Sequence, residues 1–264
     1  MRIPRLFINP SQIDRGKNLA IIEDEGQMHQ LKSVLRLGKD SAVDLLDGTG
    51  KLYKCKLTTL SRQGFRLSIE ECLELETSGC AVTVALPPLK SGRFEWAIEK
   101  LTELGVSKIV PLIAERSVAK IGRAGRKERA REGIPNEPAS GKASRWQKIA
   151  REAAEQCERP TIPQVVKPLT LEEILSETGE RMNAVKLMLS ERSQAAHLKD
   201  ILCNLPAPPE SVLVVVGPEG GFSEREFALA SESNIRFATL GKRILRSETA
   251  AICSASLIGA FWNT

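Results

Sequence analysis

The sequence contains few of the residues that build metal sites or aromatic binding surfaces. Among 264 residues there are two histidines and six cysteines, and no two cysteines are spaced as C-x-x-C. This composition gives little support for a structural zinc site or a disulfide framework. Aromatic residues make up 4% of the chain, which argues against a surface of many stacked rings. We therefore expect no bound metal, and reduced cysteines that serve as small apolar side chains.

Long apolar segments are also scarce. The longest, residues 250–262, contains two serines and is shorter than the roughly 18–20 residues that a transmembrane helix needs. The first ten residues, MRIPRLFINP, contain two prolines and lack the apolar stretch of a secretory signal. The sequence therefore predicts a cytoplasmic protein with no membrane association.

Charge is present in moderation but is unevenly distributed. The net charge is +5, with 42% hydrophobic and 27% charged residues, which is typical of globular proteins. Residues 121–151 hold nine Lys and Arg against three acidic residues. Within them, residues 121–144 are rich in Gly, Pro, Ser and Arg, which predicts a long mobile loop.

Two parts of the chain differ in their apolar periodicity. In residues 1–75, short alternating segments at 42–46 and 52–57 flank an Asp-Gly turn, which predicts a β-hairpin. Residues 66–70 alternate again, and residues 27–37 have a helical pattern. This part is predicted to be a small β-barrel domain.

From residue 76 to residue 264, segments typical of strands and helices alternate. Such alternation predicts an α/β domain in which a parallel sheet carries helices on both faces. A capping box, Ser223 to Glu226, marks the start of one helix. The expected strands are 81–86, 109–113, 185–189, 212–216 and 237–240, and the expected helices include 94–104, 146–157 and 250–262.

The strongest local motif is VLVVVGPEGGF at residues 212–222. An apolar strand here leads to three glycines, and ligands of open α/β sheets bind at the carboxyl ends of the strands. Glycines at that edge allow backbone N–H groups to approach a ligand closely. A tight turn between strand and helix is the alternative. The spacing matches neither the G-x-G-x-x-G fingerprint nor a phosphate-binding P-loop.

A second loop, GKRILRSET at residues 241–249, follows the next expected strand. Ser247 is predicted to cap the last helix, whose N-terminus would favour a negative charge, as would Arg243 and Arg246. The alternative is a capped helix with solvated arginines.

Together, G-P-E-G-G-F-S-x-x-E and L-G-K-R-I-L-R-S-E-T-A resemble the paired signatures of the ribosomal RNA small subunit methyltransferase E family, which belongs to the SPOUT class. Earlier segments are similar to that family in the same order. They are MRIPR at the start, VLRL at 34–37, KLTELGV at 100–106 and EQC at 155–157, followed by Arg159.

The resemblance implies a PUA-like N-terminal barrel for RNA and a C-terminal SPOUT domain with a trefoil knot. It also implies a homodimer that uses S-adenosylmethionine to methylate N3 of a uridine in the 16S rRNA of the small ribosomal subunit. By residue match, the cofactor would be bound by Leu189, Gly217, Pro218, Glu219, Gly220, Gly221, Leu240, Gly241, Ile244, Leu245 and Arg246.

Methylation of uridine N3 requires the loss of a proton, so a base or a cation that stabilises the anion is expected. Arg246 is the candidate for stabilising charge on the uracil oxygens, and Glu248 is the candidate base or orienting group. The alternative for Glu248 is a carboxylate in the first turn of a helix, and Glu219 has a similar alternative as a turn residue. A lone histidine is more often a surface or capping residue, which leaves His29 and His197 less favoured.

RNA phosphates require Lys or Arg within reach. The candidates in the first domain are Arg2, Arg5, Lys32 and Arg36. The basic loop at 121–144 is either simply solvated or an electrostatic arm for RNA.

Two other functions remain open at the level of sequence. One is a different SPOUT methyltransferase, acting for example on the 2'-oxygen of a tRNA ribose. It would share the loops but not the MRIPR start or the EQC segment. The other is a non-catalytic RNA-binding ribosome assembly factor, against which the three glycines and Arg246 argue.

Overall fold

The chain forms two compact units. The structure is a computed structural model that describes residues 3–61, 63–75, 79–90, 92–117, 142–178, 183–191 and 195–262. One unit combines residues 1–77 with residues 154–162, and the other combines residues 78–153 with 163–264. The sequence divides only once, near residue 75, so the assignment of 154–162 to the first unit is a finding of the structure.

The first unit is built on a six-stranded sheet in the order β1-β4-β5-β6-β3-β2. Neighbouring strands are antiparallel except β1 and β4, which are parallel. Its strands are β1 (Arg5–Phe7), β2 (Ile13–Asp14), β3 (Leu19–Ile22), β4 (Ala42–Leu46), β5 (Lys51–Leu60) and β6 (Phe65–Glu74).

The predicted β-hairpin is confirmed as β4 and β5. Asp47 Oδ1 accepts hydrogen bonds from the backbone N (2.9 Å) and the hydroxyl (2.6 Å) of Thr49, which closes the turn. Gly48 and Gly50 have φ angles of 76° and 100°, which glycine adopts without the steric cost of a Cβ.

Alternate residues of the strands in the first unit point into one apolar core, as in a barrel-like sheet. Ile22, Leu45 and Leu57 are fully buried in it, and Leu31 joins them from a helical segment. That segment was predicted as a single helix over 27–37. It consists of α1 (Glu25–His29) followed by a π-helical turn, Gln30–Val34.

A second apolar cluster explains why residues 154–162 belong to this unit. Ala154, fully buried, packs with Phe7, Leu46 and Leu52, and Ile162 covers the same cluster. The Glu155 carboxylate also accepts a hydrogen bond from Phe7 N at 3.2 Å. The segment therefore completes the side of the sheet formed by β1, β4 and β5.

The second unit is built on a parallel sheet in the order β10-β8-β7-β13-β11-β14-β12, with β9 paired to β8. The strands are β7 (Ala81–Leu86), β8 (Lys108–Ile113), β9 (Gln164–Val165), β10 (Leu169–Thr170), β11 (Ala184–Leu189), β12 (Ala196–His197), β13 (Ser211–Val215) and β14 (Arg236–Thr239). The helices are α2 (Arg93–Glu103), α3 (Lys142–Gln156), α4 (Leu171–Thr178), α5 (Leu198–Cys203), α6 (Glu224–Glu232) and α7 (Ser247–Trp262).

This arrangement confirms the predicted α/β class with a separate, mainly β N-terminal part. The capping box of α6 is also confirmed, since Ser223 Oγ accepts from Glu226 N (3.1 Å) and Glu226 Oε2 accepts from Ser223 N (2.8 Å). The trefoil knot stays a prediction.

The predicted loop at 121–144 lies mostly outside the described residues. Its last residues, from Lys142, already belong to α3, so that helix begins before the expected Trp146. Among the described residues, no helix is both long and apolar enough to cross a membrane.

Candidate functional site

The two sequence motifs meet at the carboxyl edge of the parallel sheet. We call residues 217–221, which follow β13, the glycine loop, and residues 241–246, which follow β14, the basic loop. Strand β11 lies between β13 and β14 and ends at Leu189. Because all these strands are parallel, their carboxyl ends share one edge, and Leu189 lies between the strands that lead to the two loops.

The glycine loop packs closely against its own chain. A Cβ on Gly217 would lie 2.9 Å from a ring carbon of buried Phe222, and one on Gly220 would lie 3.2 Å from the Arg116 carbonyl oxygen. Gly221 has a φ of 68°, and its N–H donates to the Pro218 carbonyl at 2.8 Å. The tight turn considered from the sequence is thus real, and it explains why the first two glycines have no side chain.

Open space lies beside other glycines of the site. A Cβ on Gly221 or on Gly241 would meet no atom within 4 Å, although the positive φ angles of both residues disfavour side chains. Gly220 and Gly221 are themselves exposed, whereas Pro218 is buried. The outer half of the glycine loop therefore presents bare backbone to solvent.

The basic loop presents side chains instead. Ile244 is 78% exposed, and Lys242, Arg243 and Arg246 are also exposed. None of these three cations forms a side-chain hydrogen bond or ion pair with the part of the chain that the structure describes. The two leucines of the motif, Leu240 and Leu245, are half-buried.

Ser247 has a different role from the predicted helix cap. It is the first residue of α7, and its hydroxyl donates to the Gly217 carbonyl at 2.6 Å. The carbonyl of Arg246 instead accepts the helical bond from Ala250 N at 2.8 Å. The prediction was wrong because the hydroxyl turns towards the glycine loop, which it links to the start of α7.

Arg93 is part of this site, although no sequence motif points to it. Its Nη2 lies 3.1 Å from Glu219 Oε1, and its Nη1 lies 3.3 Å from Glu248 Oε1. The hydrogen bonds that Arg93 donates, first to Glu219 and then to Glu248, raise the pKa of its guanidinium, which keeps it charged. A signal was nevertheless available, since Arg93 follows β7 and that strand ends at the same edge of the sheet.

Glu248 is a buried carboxylate with one oxygen to spare. It is 5% exposed, and its Oε2 has no hydrogen-bond partner among the described residues. Glu248 is the second residue of α7, where the helix N-terminus stabilises a negative charge. This agrees with the alternative stated from the sequence, a carboxylate in the first turn of a helix. The Oε2 oxygen is buried, so its capacity to accept a hydrogen bond is unmet in this structure.

The residues predicted to contact RNA differ in their surroundings. Arg5 is engaged by Asp44 (3.3 Å) and Glu158 (3.0 Å). Lys32 and Arg36 are exposed and form no side-chain bond within the described residues. Arg2 lies outside the described residues.

The histidines and cysteines show no sign of a further site. His197 Nδ1 accepts a hydrogen bond from Lys199 N at 3.2 Å and so caps α5, while His29 ends α1. Burial raises the pKa of the Cys55 thiol to about 12, and all six cysteines are free. In the described ranges, no group of three His, Cys, Asp or Glu residues could hold a metal ion.

Comparisons with known proteins match the chain over nearly its whole length. The family model described as RNA methyltransferase domain matches residues 76–259, and the RNA methyltransferase PUA domain matches residues 24–70. Proteins named Ribosomal RNA small subunit methyltransferase E are similar in sequence. The one from Synechocystis is 32% identical over 97% of this chain and 77% of its own, and the one from Bacillus subtilis is 30% identical over 96% and 95%.

A solved structure extends the match to three dimensions. It is the Ribosomal RNA small subunit methyltransferase E from Neisseria gonorrhoeae bound to S-adenosyl methionine. It superposes with a TM-score of 0.77 at 27% identity and covers 99% of this chain and 98% of its own. Both units of the chain are therefore present in that relative.

Proposed function

The chain belongs to the ribosomal RNA small subunit methyltransferase E family, and we propose that it transfers a methyl group from S-adenosylmethionine to N3 of a uridine in 16S rRNA. The observation that carries the proposal is the carboxyl edge of the parallel sheet. There the glycine loop, the basic loop and the buried Glu248 come together in a chain that matches the family from end to end.

The residues at this edge fit S-adenosylmethionine. Bare backbone at Gly221 and Gly241 leaves room for a ligand, and the buried Glu248 Oε2 is an acceptor whose hydrogen bond is unmet. When bound, the cofactor supplies a methyl group that its sulfonium already makes electrophilic. The residues proposed to hold it are Leu189, Gly217, Pro218, Glu219, Gly220, Gly221, Leu240, Gly241, Ile244, Leu245 and Arg246.

Arg246 and Glu248 carry the chemistry on the side of the uridine. Loss of the N3 proton places negative charge on the uracil oxygens, and an exposed guanidinium beside the site stabilises that charge. The free oxygen of Glu248 accepts the N3–H, either to orient the ring or to take the proton. Both side chains lie at the start of α7, Arg246 just before it and Glu248 within its first turn.

RNA contacts are proposed for the first unit, with the exposed Lys32 and Arg36 as its phosphate ligands. Arg2 and the loop at 121–144 would add positive charge, while Arg5 is held by two carboxylates. A homodimer and a cytoplasmic location complete the proposal, since ribosomes are cytoplasmic and the resemblance implies a dimer. The mass of the purified protein in solution tests the dimer.

Incubation with methyl-labelled S-adenosylmethionine and small ribosomal subunits that lack the modification tests the activity. Digestion to nucleosides and mass spectrometry should find the label on N3 of uridine. Parallel reactions with transfer RNA, and with no RNA, serve as controls. Label on tRNA ribose would instead support the other SPOUT activity, and no label with any RNA would support an assembly factor.

A further inference from the structure

Arg93 connects two segments that are far apart in the sequence. Glu219 is 126 residues away from it and Glu248 is 155 residues away, yet the guanidinium bonds both carboxylates. One belongs to the glycine loop and the other to the first turn of α7. A separate link, from the Ser247 hydroxyl to the Gly217 carbonyl at 2.6 Å, joins the same two segments.

The backbone around Arg93 holds its side chain in place. The Arg93 N–H and Nε both donate to the Lys90 carbonyl, at 3.3 Å and 3.4 Å. The guanidinium thus emerges from the turn after β7, with its two terminal nitrogens left for the two carboxylates. A planar guanidinium suits this task because its donors point in fixed directions.

The two carboxylates have different needs. Glu219 has a half-exposed side chain, so water stabilises much of its charge. Glu248 is 5% exposed, and a buried carboxylate is costly unless a cation pairs with it. Arg93 is the only cation that forms an ion pair with Glu248 in the described part of the chain. Its pairing through Oε1 leaves Oε2 unbonded.

We propose that Arg93 is a positioning residue for methyl transfer: it fixes the glycine loop against α7 and holds the Glu248 carboxylate so that its buried, unbonded Oε2 accepts a hydrogen bond from an N–H donor of the ligand once ligand binding opens access to it. The inference rests on the proposed function. The donor is either the N3–H of the uracil or the ammonium group of S-adenosylmethionine. These share one chemistry, an N–H group facing a carboxylate oxygen.

Replacement of Arg93 by Gln and by Lys tests the proposal. We expect Arg93→Gln to lower kcat or the affinity for S-adenosylmethionine by about 100-fold, because small errors in placement have effects of that size. Arg93→Lys should recover part of the loss, since an ammonium keeps the charge but not the two-pronged geometry. Calorimetry gives the cofactor Kd, and methylation of small ribosomal subunits gives kcat and the KM for RNA.

Lys108→Gln is the matched control. Lys108 forms an ion pair with Glu177 at 3.2 Å, and the side-chain exposures of this pair, 31% and 48%, match the 30% and 48% of Arg93 and Glu219. Lys108 opens β8 at the opposite edge of the sheet. This variant should therefore retain the kinetic constants of the wild type. If Arg93→Gln does not fold, Glu219→Gln is the second test of the proposal, because its side chain is half-exposed. This variant should weaken cofactor binding.

The results separate the possible outcomes. A raised cofactor Kd identifies the ammonium as the donor, and an unchanged Kd with a lower kcat identifies the uracil. Wild-type kinetic constants in Arg93→Gln would overturn the inference. Equal losses of activity in the Gln and Lys variants, in proportion to their loss of folded protein, would also overturn it. If the wild-type protein itself binds S-adenosylmethionine but methylates no RNA, the proposed function fails instead.

Discussion

The glycine loop and the basic loop lie at the same sheet edge but relate to the rest of the chain in opposite ways. Gly217 and Gly220 lie against Phe222 and Arg116, and Glu219 is bonded by Arg93. The side chains of the basic loop extend into solvent, with Ile244 78% exposed. The glycine loop thus has a backbone conformation fixed by packing, whereas the basic loop has side chains free to contact a ligand. Substitutions of the packed glycines Gly217 and Gly220 should therefore affect stability, whereas substitutions in the basic loop should affect activity.

The largest effect should come from Arg246 in the basic loop. Arg246→Ala should lower kcat by about 100-fold or more, a typical result of removing one group that stabilises developing charge. Its melting temperature should stay close to that of the wild type, because the side chain is exposed and bonds nothing in the described chain. Methylation kinetics and thermal unfolding measure the two quantities.

Arg236→Ala is the control for Arg246. Arg236 is also exposed, but it is the first residue of β14 and so lies at the opposite edge of the sheet. Its substitution should leave kcat unchanged. A wild-type kcat in Arg246→Ala would exclude this arginine from the chemistry.

A smaller effect, of the opposite kind, is expected in the glycine loop. Gly217→Ala places a methyl group 2.9 Å from the buried Phe222 ring and should lower the free energy of unfolding by about 1–3 kcal/mol. Gly79→Ala, where a Cβ meets nothing within 4 Å, is the control. Chemical denaturation of both variants gives the difference. Equal stabilities would show that the Gly217 contact can relax without cost.

Much of the fold follows from local sequence patterns, and so do the two loops of the site, whereas the contacts that join those loops to Arg93 do not. Alternating or continuous apolar residues predict strands such as β4, β7 and β13. The capping box of α6 is recognisable from the four residues Ser223 to Glu226. Strands β9, β10 and β12 have only two residues each, too few to show a period. The Arg93–Glu248 pair depends on which strands are neighbours, and no local pattern specifies that order.

The residues proposed to bind RNA also differ in whether their side chains are bonded to the chain or free. The smallest effect on function is expected among them. Lys32→Ala with Arg36→Ala should reduce the slope of log affinity for rRNA against log salt by about 2, because two phosphate contacts are lost. Arg5→Ala should change the slope little but lower the melting temperature, since Arg5 bonds Asp44 and Glu158. Filter binding across a salt series measures the slopes. An unchanged slope in the double variant would remove both residues from the RNA contact.

Because residues 154–162 belong to the first unit, that unit cannot finish folding early in translation. During synthesis, the ribosome completes all six strands of that unit's sheet long before it adds Ala154. Until then the apolar side chains of Phe7, Leu46 and Leu52 lack their cover, so the N-terminal unit emerges unfinished. Residues 78–153, which belong to the second unit, must be translated before Ala154 is added. The first unit to begin folding is thus not complete until more than half of the chain has been translated.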